Sequence, residues 1–210
     1  MEMTVTAIEP YGKGRSAVYL NDSFAFVLYK GELSKYGMEL GTVVDNKLYE
    51  QILNETLFKR ARKRGMNLLK SMDRTEADVR RRLSDGGYPP EAVDDAISYL
   101  QSYHYIDDKR YATDYIMYKI RSMSRKMIRA KLIEKGISSQ TIEEAFLEYE
   151  NECPDTLEDD ERKLIISLIK KRCPSGVANL EYADKQKLYA YLYGKGFSVS
   201  SIERAYDLMT

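Results

Sequence analysis

The sequence predicts a mainly α-helical fold: tandem three-helix repeats forming an elongated, curved array, preceded by a small β-rich N-terminal cap. Three observations carry this reading. One helical segment recurs three times, each copy is punctuated by a capping residue and a glycine at matching places, and the pattern changes character before residue 54. The recurring segment is RRRLSDGGYPPEAVDDAI (80–97), which superposes without a gap on RAKLIEKGISSQTIEEAF (129–146). The superposition pairs Leu83 with Leu132, Gly87 with Gly136, Tyr88 with Ile137, Val93 with Ile142 and Ala96 with Ala145. A third copy, YAYLYGKGFSVSSIERAY (189–206), places Leu192, Gly196, Phe197, Ile202 and Ala205 in the same positions. Such a unit cannot bury both faces of its helices alone, so neighbours stack on a continuous core.

Four segments follow: a β-rich segment over 1–53 and three-helix repeats over 54–105, 106–150 and 151–210. In the first, 4–8 is short and β-branched. Residues 17–20 and 24–28 flank the turn-forming Asn21, Asp22 and Ser23 and read as a hairpin. Tyr11-Gly-Lys-Gly makes a turn ahead of it. A short helix over 32–36 is closed by Gly37, and Thr42, Val43 and Val44 offer a last strand, for three or four strands in all. Lys13 between Gly12 and Gly14 lacks the Lys-Ser/Thr and the following helix of a phosphate loop.

From Asp45 onward the apolar spacing is helical. Leu48, Ile52, Leu57, Ala61 and Leu68 predict a helix over 46–69, interrupted around Gly65. Thr75 caps the next helix, with Asp78 three residues on. Val79 and Leu83 face inward, and Gly86 and Gly87 stop it. Pro89 and Pro90 start the third helix, which buries Val93, Ala96, Ile97 and Leu100. Asp107 and Asp108 then suit the positive end of the following helix, whose buried stripe is Ala112, Tyr115, Ile116 and Ile120. Within the junction YIDDKRYA (105–112), Tyr105, Ile106, Tyr111 and Ala112 are expected to pack the two units together.

In the second repeat Ser124 caps the middle helix, Gly136 stops it, and Ser138 or Ser139 caps the third, which buries Ile142, Ala145 and Phe146. An acidic connector is expected over 150–160. The third repeat opens with a helix over 157–171, carrying Leu164, Ile165, Leu168 and Ile169 inward. Matched positions then lie 60 residues apart (Leu132 to Leu192) rather than 49 (Leu83 to Leu132). The extra residues fall in a loop around 173–184.

Composition narrows the function. The chain has 33 basic and 33 acidic residues, so net charge argues for no particular partner, and the 31% charged content suits solvated helices. No apolar run reaches membrane-spanning length, and MEMTVTAIEP is not a secretory signal, so a cytoplasmic protein is expected. Cys153 and Cys173 flank a predicted helix of roughly 17 residues, about 25 Å long, too far apart to bridge if that helix forms. The single histidine, His104, reads as a packing residue. Asp94-Asp95, Asp107-Asp108, Glu143-Glu144 and Asp159-Asp160 point about 100° apart on their helices, so they do not converge on a cleft. No cofactor, metal site or catalytic constellation is expected.

What remains is surface. Lys59 to Arg64 (KRARKR) is the densest basic run, read as a solvated face or a contact for a polyanion or acidic partner. Arg80, Arg81 and Arg82 in the first repeat are matched by Arg125, Lys126, Arg129 and Lys131 in the second, and by Lys185, Lys187 and Tyr189 in the third. Recurring cations can follow a regularly spaced polyanion. The interleaved acids Asp78, Asp85 and Glu134 favour ordinary solvation, or a mixed protein surface over bare DNA.

The segment DRTEADVRRRLSDGGY, a helix into YIDDKRYA, and then IRAKLIEKGI together resemble the RecX regulatory proteins of bacteria. The resemblance covers 57–149 well and the third repeat more loosely, and the first 53 residues resemble an N-terminal extension that some members carry. Ser124 departs from it, standing where the family usually has Gly; as Ser is a good cap, the same turn is expected. The resemblance implies a non-catalytic regulator of the RecA recombinase. Such proteins lie in the groove of the RecA–single-stranded DNA filament and modulate its ATP hydrolysis, strand exchange and co-protease activity, usually downward. A repeat array could span adjacent filament subunits through several weak contacts. Candidate contact residues are Arg80, Arg81, Arg82, Lys109, Arg110, Lys126, Arg129 and Lys131, on a monomer. The alternatives are a helical repeat protein binding single- or double-stranded DNA directly, because three-helix units can resemble helix-turn-helix modules, and a generic interaction scaffold.

Overall fold

A computed structural model of the chain describes residues 2–153, 157–178 and 180–209. It divides into two compact units, Met1–Asp107 and Asp108–Thr210. In the first, β1 (Met3–Pro10), β2 (Arg15–Leu20), β3 (Ser23–Tyr29) and β4 (Val43–Val44) form an antiparallel sheet in the order β3-β2-β1-β4. Leu20 pairs with Ser23 across the expected hairpin turn, where Asn21 and Asp22 both take positive φ, 48° and 65°. Two left-handed residues match the twist of the flanking strands, and Asn and Asp tolerate that geometry. Helix α1 (Lys30–Tyr36) ends at Gly37, whose φ is 60°.

Helix α2 (Asn46–Ile52) starts at Asp45, which accepts a hydrogen bond from the Leu48 N–H at 2.7 Å. It runs through one π-helical turn (Leu53–Leu57) into α3 (Phe58–Leu69). The interruption expected at Gly65 therefore lies elsewhere. The five-residue step from Ile52 to Leu57 is its signature: one extra residue in the turn keeps Leu57, Ala61, Gly65 and Leu68 on the buried face. Gly65 sits inside α3, where a Cβ would lie 2.6 Å from Leu100 Cδ1. Its role is close approach to α5 (Pro90–Ser102), which follows α4 (Glu76–Ser84).

Residue 53 lies inside this continuous helical run, and the sheet shares one core with the first repeat. Val5, Phe26 and Leu28 belong to the same buried cluster as Leu57, Leu83, Ile97, Leu100 and Ile106. Polar ties reinforce the joint. The Val27 N–H donates to the Gly87 carbonyl at 3.1 Å, and the Tyr11 hydroxyl donates to the Asp85 carbonyl at 2.7 Å. Arg60 donates to the Val27 carbonyl and pairs with Glu32 at 2.5 Å, its guanidinium lying over the rings of Tyr29 and Tyr88. These bonds occupy both main-chain groups of Val27 on β3, a strand that would otherwise end the sheet with unpaired groups.

The second unit holds α6 (Asp108–Lys119), α7 (Arg125–Glu134), α8 (Ser139–Glu152), α9 (Leu157–Arg172), α10 (Tyr182–Gly194) and α11 (Val199–Asp207). Ala112, Ile116, Ile128, Leu132, Ile142 and Phe146 form the second core, and Ile165, Ile169, Leu188, Leu192, Phe197 and Ile202 the third. Ile106 is thus buried with the first core and Ala112 with the second, while Tyr105 is half exposed beside Tyr103.

The three repeats close their middle helix identically. Gly87, Gly136 and Gly196 have φ of 82°, 84° and 88°. The next residue's N–H returns to the leucine carbonyl five positions earlier: Tyr88 to Leu83 at 3.3 Å, Ile137 to Leu132 at 3.1 Å, and Phe197 to Leu192 at 3.3 Å. This is the six-to-one closure that needs a left-handed residue, and its apolar partners are the pairs that the repeat superposition aligned. Thr75, Ser124, Ser138 and Ser198 each accept from the N–H three residues on.

Other expectations need revision. Glu150 to Glu152 continue α8 and Leu157 to Asp160 belong to α9, so the acidic connector is shorter than 150–160; its Pro154 lies outside the described residues. His104 is exposed, with φ of 55°, just past the end of α5, rather than packed. The inserted loop is anchored by Val177, which is buried and accepts a hydrogen bond from the Tyr206 hydroxyl at 3.0 Å. The two cysteines are unbridged. Among the described residues no helix is long and apolar enough to cross a membrane.

Candidate partner-binding surface

Arg80, Arg81 and Arg82 follow one another on α4, so their side chains leave it about 100° apart. Arg80 bridges helices, reaching Glu76 one turn back at 2.6 Å and Asp94 on α5 at 2.5 Å. Arg81 and Arg82 both turn to Asp78, at 2.5 and 2.8 Å, and Arg74 joins them at 2.8 Å. Burial alone would push the Asp78 carboxyl up; hydrogen bonds from Arg82, Arg81 and Arg74 outweigh it and hold the group well below the usual carboxylate range. Hydrogen bonds from Asp94 and then Glu76 raise Arg80 above its ordinary value.

The second repeat repeats the tie. Arg129 on α7 grips Glu143 on α8 through two bonds of 2.6 and 2.8 Å, and its guanidinium lies 4.4 Å from the centre of the Phe146 ring. Glu143 raises Arg129, and Arg129 lowers Glu143. Arg125 pairs with Glu150 at 2.5 Å above the same ring. In the third repeat the register places Tyr189 and Glu203 at the positions of Arg129 and Glu143. There the Tyr189 ring lies 5.9 Å from that of Tyr206, which replaces Phe146. Burial raises the Tyr189 phenol, and Glu203 adds to it.

The remaining candidates lie on α6 and α7. Lys131 pairs with Glu134 at 2.7 Å and Lys109 with Glu148 at 2.9 Å. Arg110 is exposed on α6. Lys126 is exposed on α7, its ammonium 5.8 Å from the Tyr193 ring and without an acidic partner among the described residues. At least six of the eight candidates therefore sit in ion pairs, and in each unit they stand among charges of both signs.

Sequence reasoning missed the split within the 59–64 run. Arg60 and Arg62 point inward, Arg62 holding Asp95 through bonds of 2.7 and 2.5 Å and lying over Tyr99, while Lys59, Lys63 and Arg64 are exposed. It also missed the row of rings at the end of α5, where Tyr99, Tyr103 and Tyr105 follow at 4.8 and 6.2 Å, Tyr103 stacking on Tyr105 and both rings exposed. The cation-to-acid spacing of 14 residues, shared by Arg80–Asp94 and Arg129–Glu143, was the available signal for the inter-helix ties.

Comparison with known proteins matches this repeat pattern. Family models for the first, second and third three-helix domains of RecX match residues 61–100, 107–145 and 159–206. The chain is similar to "Regulatory protein RecX" of Clostridium botulinum (strain Alaska E43 / Type E3), with 27% identity over 204 residues covering 96% of this chain and 93% of that protein. It is 28% identical over 203 residues to the protein of the same name from Clostridium acetobutylicum, covering 96% and 94%. A crystal structure of regulatory protein RecX superposes with a TM-score of 0.62 at 27% identity, covering 98% of this chain and 99% of the other. The crystal structure of RecX from Lactobacillus salivarius, at 23% identity and a TM-score of 0.60 over 72% of this chain and 97% of the other, shares the fold.

Proposed function

Because the chain belongs to the RecX family, we propose that it is a non-catalytic regulator that binds the RecA–single-stranded DNA filament and lowers its ATPase, strand-exchange and co-protease activities. The observation that carries this reading is the match of all three repeats, in order, to the three domains of those regulators. The charge mosaic agrees with it. A surface whose cations are mostly paired with carboxylates suits a partner that is itself a protein of mixed charge, and such complementarity fixes register more than it adds affinity. Arg81, Lys126 and Arg110 are the exposed cations through which contact is made, and Arg80 and Arg129 shape the helices that present them.

A direct nucleic-acid binder is the second reading, favoured by the exposed ring stack of Tyr103 and Tyr105, since aromatic faces receive unpaired bases. It predicts a steep salt dependence that a formally neutral chain is poorly built to give. Co-sedimentation separates the two. The protein should pellet with RecA filaments on single-stranded DNA and stay in solution with the same DNA alone at about 0.15 M salt, where exposed charges are screened beyond roughly 8 Å. Equal retention by bare DNA and by filament would favour the second reading.

A further inference from the structure

The solvent face of α3 carries a line of uncommitted cations. Lys59, Lys63 and Lys70 are exposed and have no hydrogen-bond or ion-pair partner among the described residues. They stand four and seven residues apart, spacings that return to one face of a helix, so they line that face over about 16 Å. The arginines of α4 differ: Arg81 and Arg82 hold Asp78, and Arg80 holds Glu76 and Asp94.

No neighbouring acid cancels the charge of this line. Arg60 and Arg62, on its two flanks, are taken up by Glu32 and Asp95, so those pairs add nothing to either side of the count. Between Thr56 and Met72 the chain has no acidic residue. The lysines therefore keep their positive charges, and Arg64, exposed one residue past Lys63, adds another to one side.

The extent of the line and its apolar companion decide the class of partner. Acids resume at Glu55, one turn before Lys59, and at Asp73, three residues after Lys70. A nucleic-acid strand repeats its charge at every nucleotide and would run on to both. A short acidic segment ends where the lysines end, since a few extended residues at roughly 3.3 Å each span the line. Met66 lies on the same face between Lys63 and Lys70, partly buried against the first core. Its flexible thioether gives an aliphatic side chain a surface to rest on.

We propose that this face of α3 is a docking surface for a short acidic segment of a protein partner, its carboxylates meeting Lys59, Lys63 and Lys70 and an aliphatic side chain between them resting on Met66. The proposal goes beyond RecA regulation and does not rest on it, since its test contains no RecA.

The isotope-labelled full chain is titrated with an acetylated and amidated Gly-Asp-Asp-Leu-Asp-Gly peptide at about 0.05 M salt, where exposed charges still act over more than 10 Å. Amide shifts of residues 59–72 should move saturably. The Gly-Asn-Asn-Leu-Asn-Gly counterpart should bind at least about tenfold more weakly, as when three exposed ion pairs are lost. Lys59→Gln/Lys63→Gln should weaken the acidic peptide about fivefold, while Lys59→Arg/Lys63→Arg, which keeps the charge, should bind it as the wild type does. Gln and Arg are both good helix formers, so circular dichroism should not change. Lys187→Glu, at an exposed pair with Asp184 in the third repeat, should leave binding unchanged. A thymidine tetranucleotide, with the same number of negative charges as the peptide, should bind more weakly. No saturable shifts, shifts centred outside α3, equal binding of the two peptides, wild-type affinity in Lys59→Gln/Lys63→Gln, or tighter binding of the tetranucleotide would each overturn the proposal.

Discussion

Arg80 meets Asp94 at 2.5 Å across the gap between the second and third helices of the first repeat. In the next repeat Arg129 meets Glu143 at the matching positions, at 2.6 Å. The tie recurs while most of the surrounding surface does not, which makes it part of how the repeat holds two helices in register. Paired side chains at partial exposure are each worth about 0.5–1 kcal/mol. Double-mutant cycles in urea, using Arg80→Met with Asp94→Leu and Arg129→Met with Glu143→Leu, should show coupling of that size in both repeats. The bidentate pair on Phe146 should show the larger coupling. Zero coupling in both would make the ties incidental.

Asp78 should contribute to the acid sensitivity of the first repeat. Three arginines hold its folded-state carboxyl below the ordinary value, so their stabilisation is complete above about pH 4. It disappears as pH falls through the lower, folded-state value. Asp78→Asn should therefore be less stable than the wild type at pH 7, with the difference shrinking as denaturation is repeated below about pH 4. A difference that is constant with pH would exclude the charge as its source.

Gly87 joins the sheet to the first repeat. It needs a left-handed backbone, and a Cβ there would lie 2.2 Å from Val27 Cγ2. Gly87→Ala should cost about 2–4 kcal/mol, combining backbone strain with overpacking. Gly14→Ala, at φ of 68° in open space, should cost about 1 kcal/mol, near the strain alone. Adding Val27→Ala to Gly87→Ala should recover part of the loss in a thermal melt.

Ser124 has two tasks. Its Oγ accepts the Met127 N–H at 3.3 Å and donates to the Lys195 carbonyl at 2.7 Å, linking the second and third repeats. Gly196 makes the approach possible, since a Cβ there would lie 2.6 Å from that Oγ. Ser124→Ala should cost about 1–2 kcal/mol, and Ser124→Gly less at the cap while still losing the bond to Lys195. Amide exchange at Met127 and thermal melts read the two losses separately.

Much of the architecture was legible because it is periodic. Leu83, Gly87 and Tyr88, with their counterparts, mark one backbone closure used three times, and the hydroxyl caps lie at the expected starts. The π turn was written in the five-residue step from Ile52 to Leu57, which helical spacing reads as an irregularity without placing it. Docking of β3 on the Gly87 turn, and the inward course of Arg60 and Arg62, depend on contacts more than 30 residues apart along the chain, which no local pattern encodes. The surface was legible as cations alone; that Asp78 gathers three of them follows from helix geometry combined with the position of Arg74, one residue before the cap.

Regulation of RecA is read out by ATP hydrolysis by RecA on single-stranded DNA. Titrating the protein into preassembled filaments should lower the hydrolysis rate at sub-stoichiometric to stoichiometric ratios. The Arg81→Glu/Lys126→Glu double variant, with unchanged circular dichroism, should need about tenfold more protein for the same effect, as when charge contacts to a partner are reversed. An unchanged rate at a large excess of the wild-type protein would contradict the account.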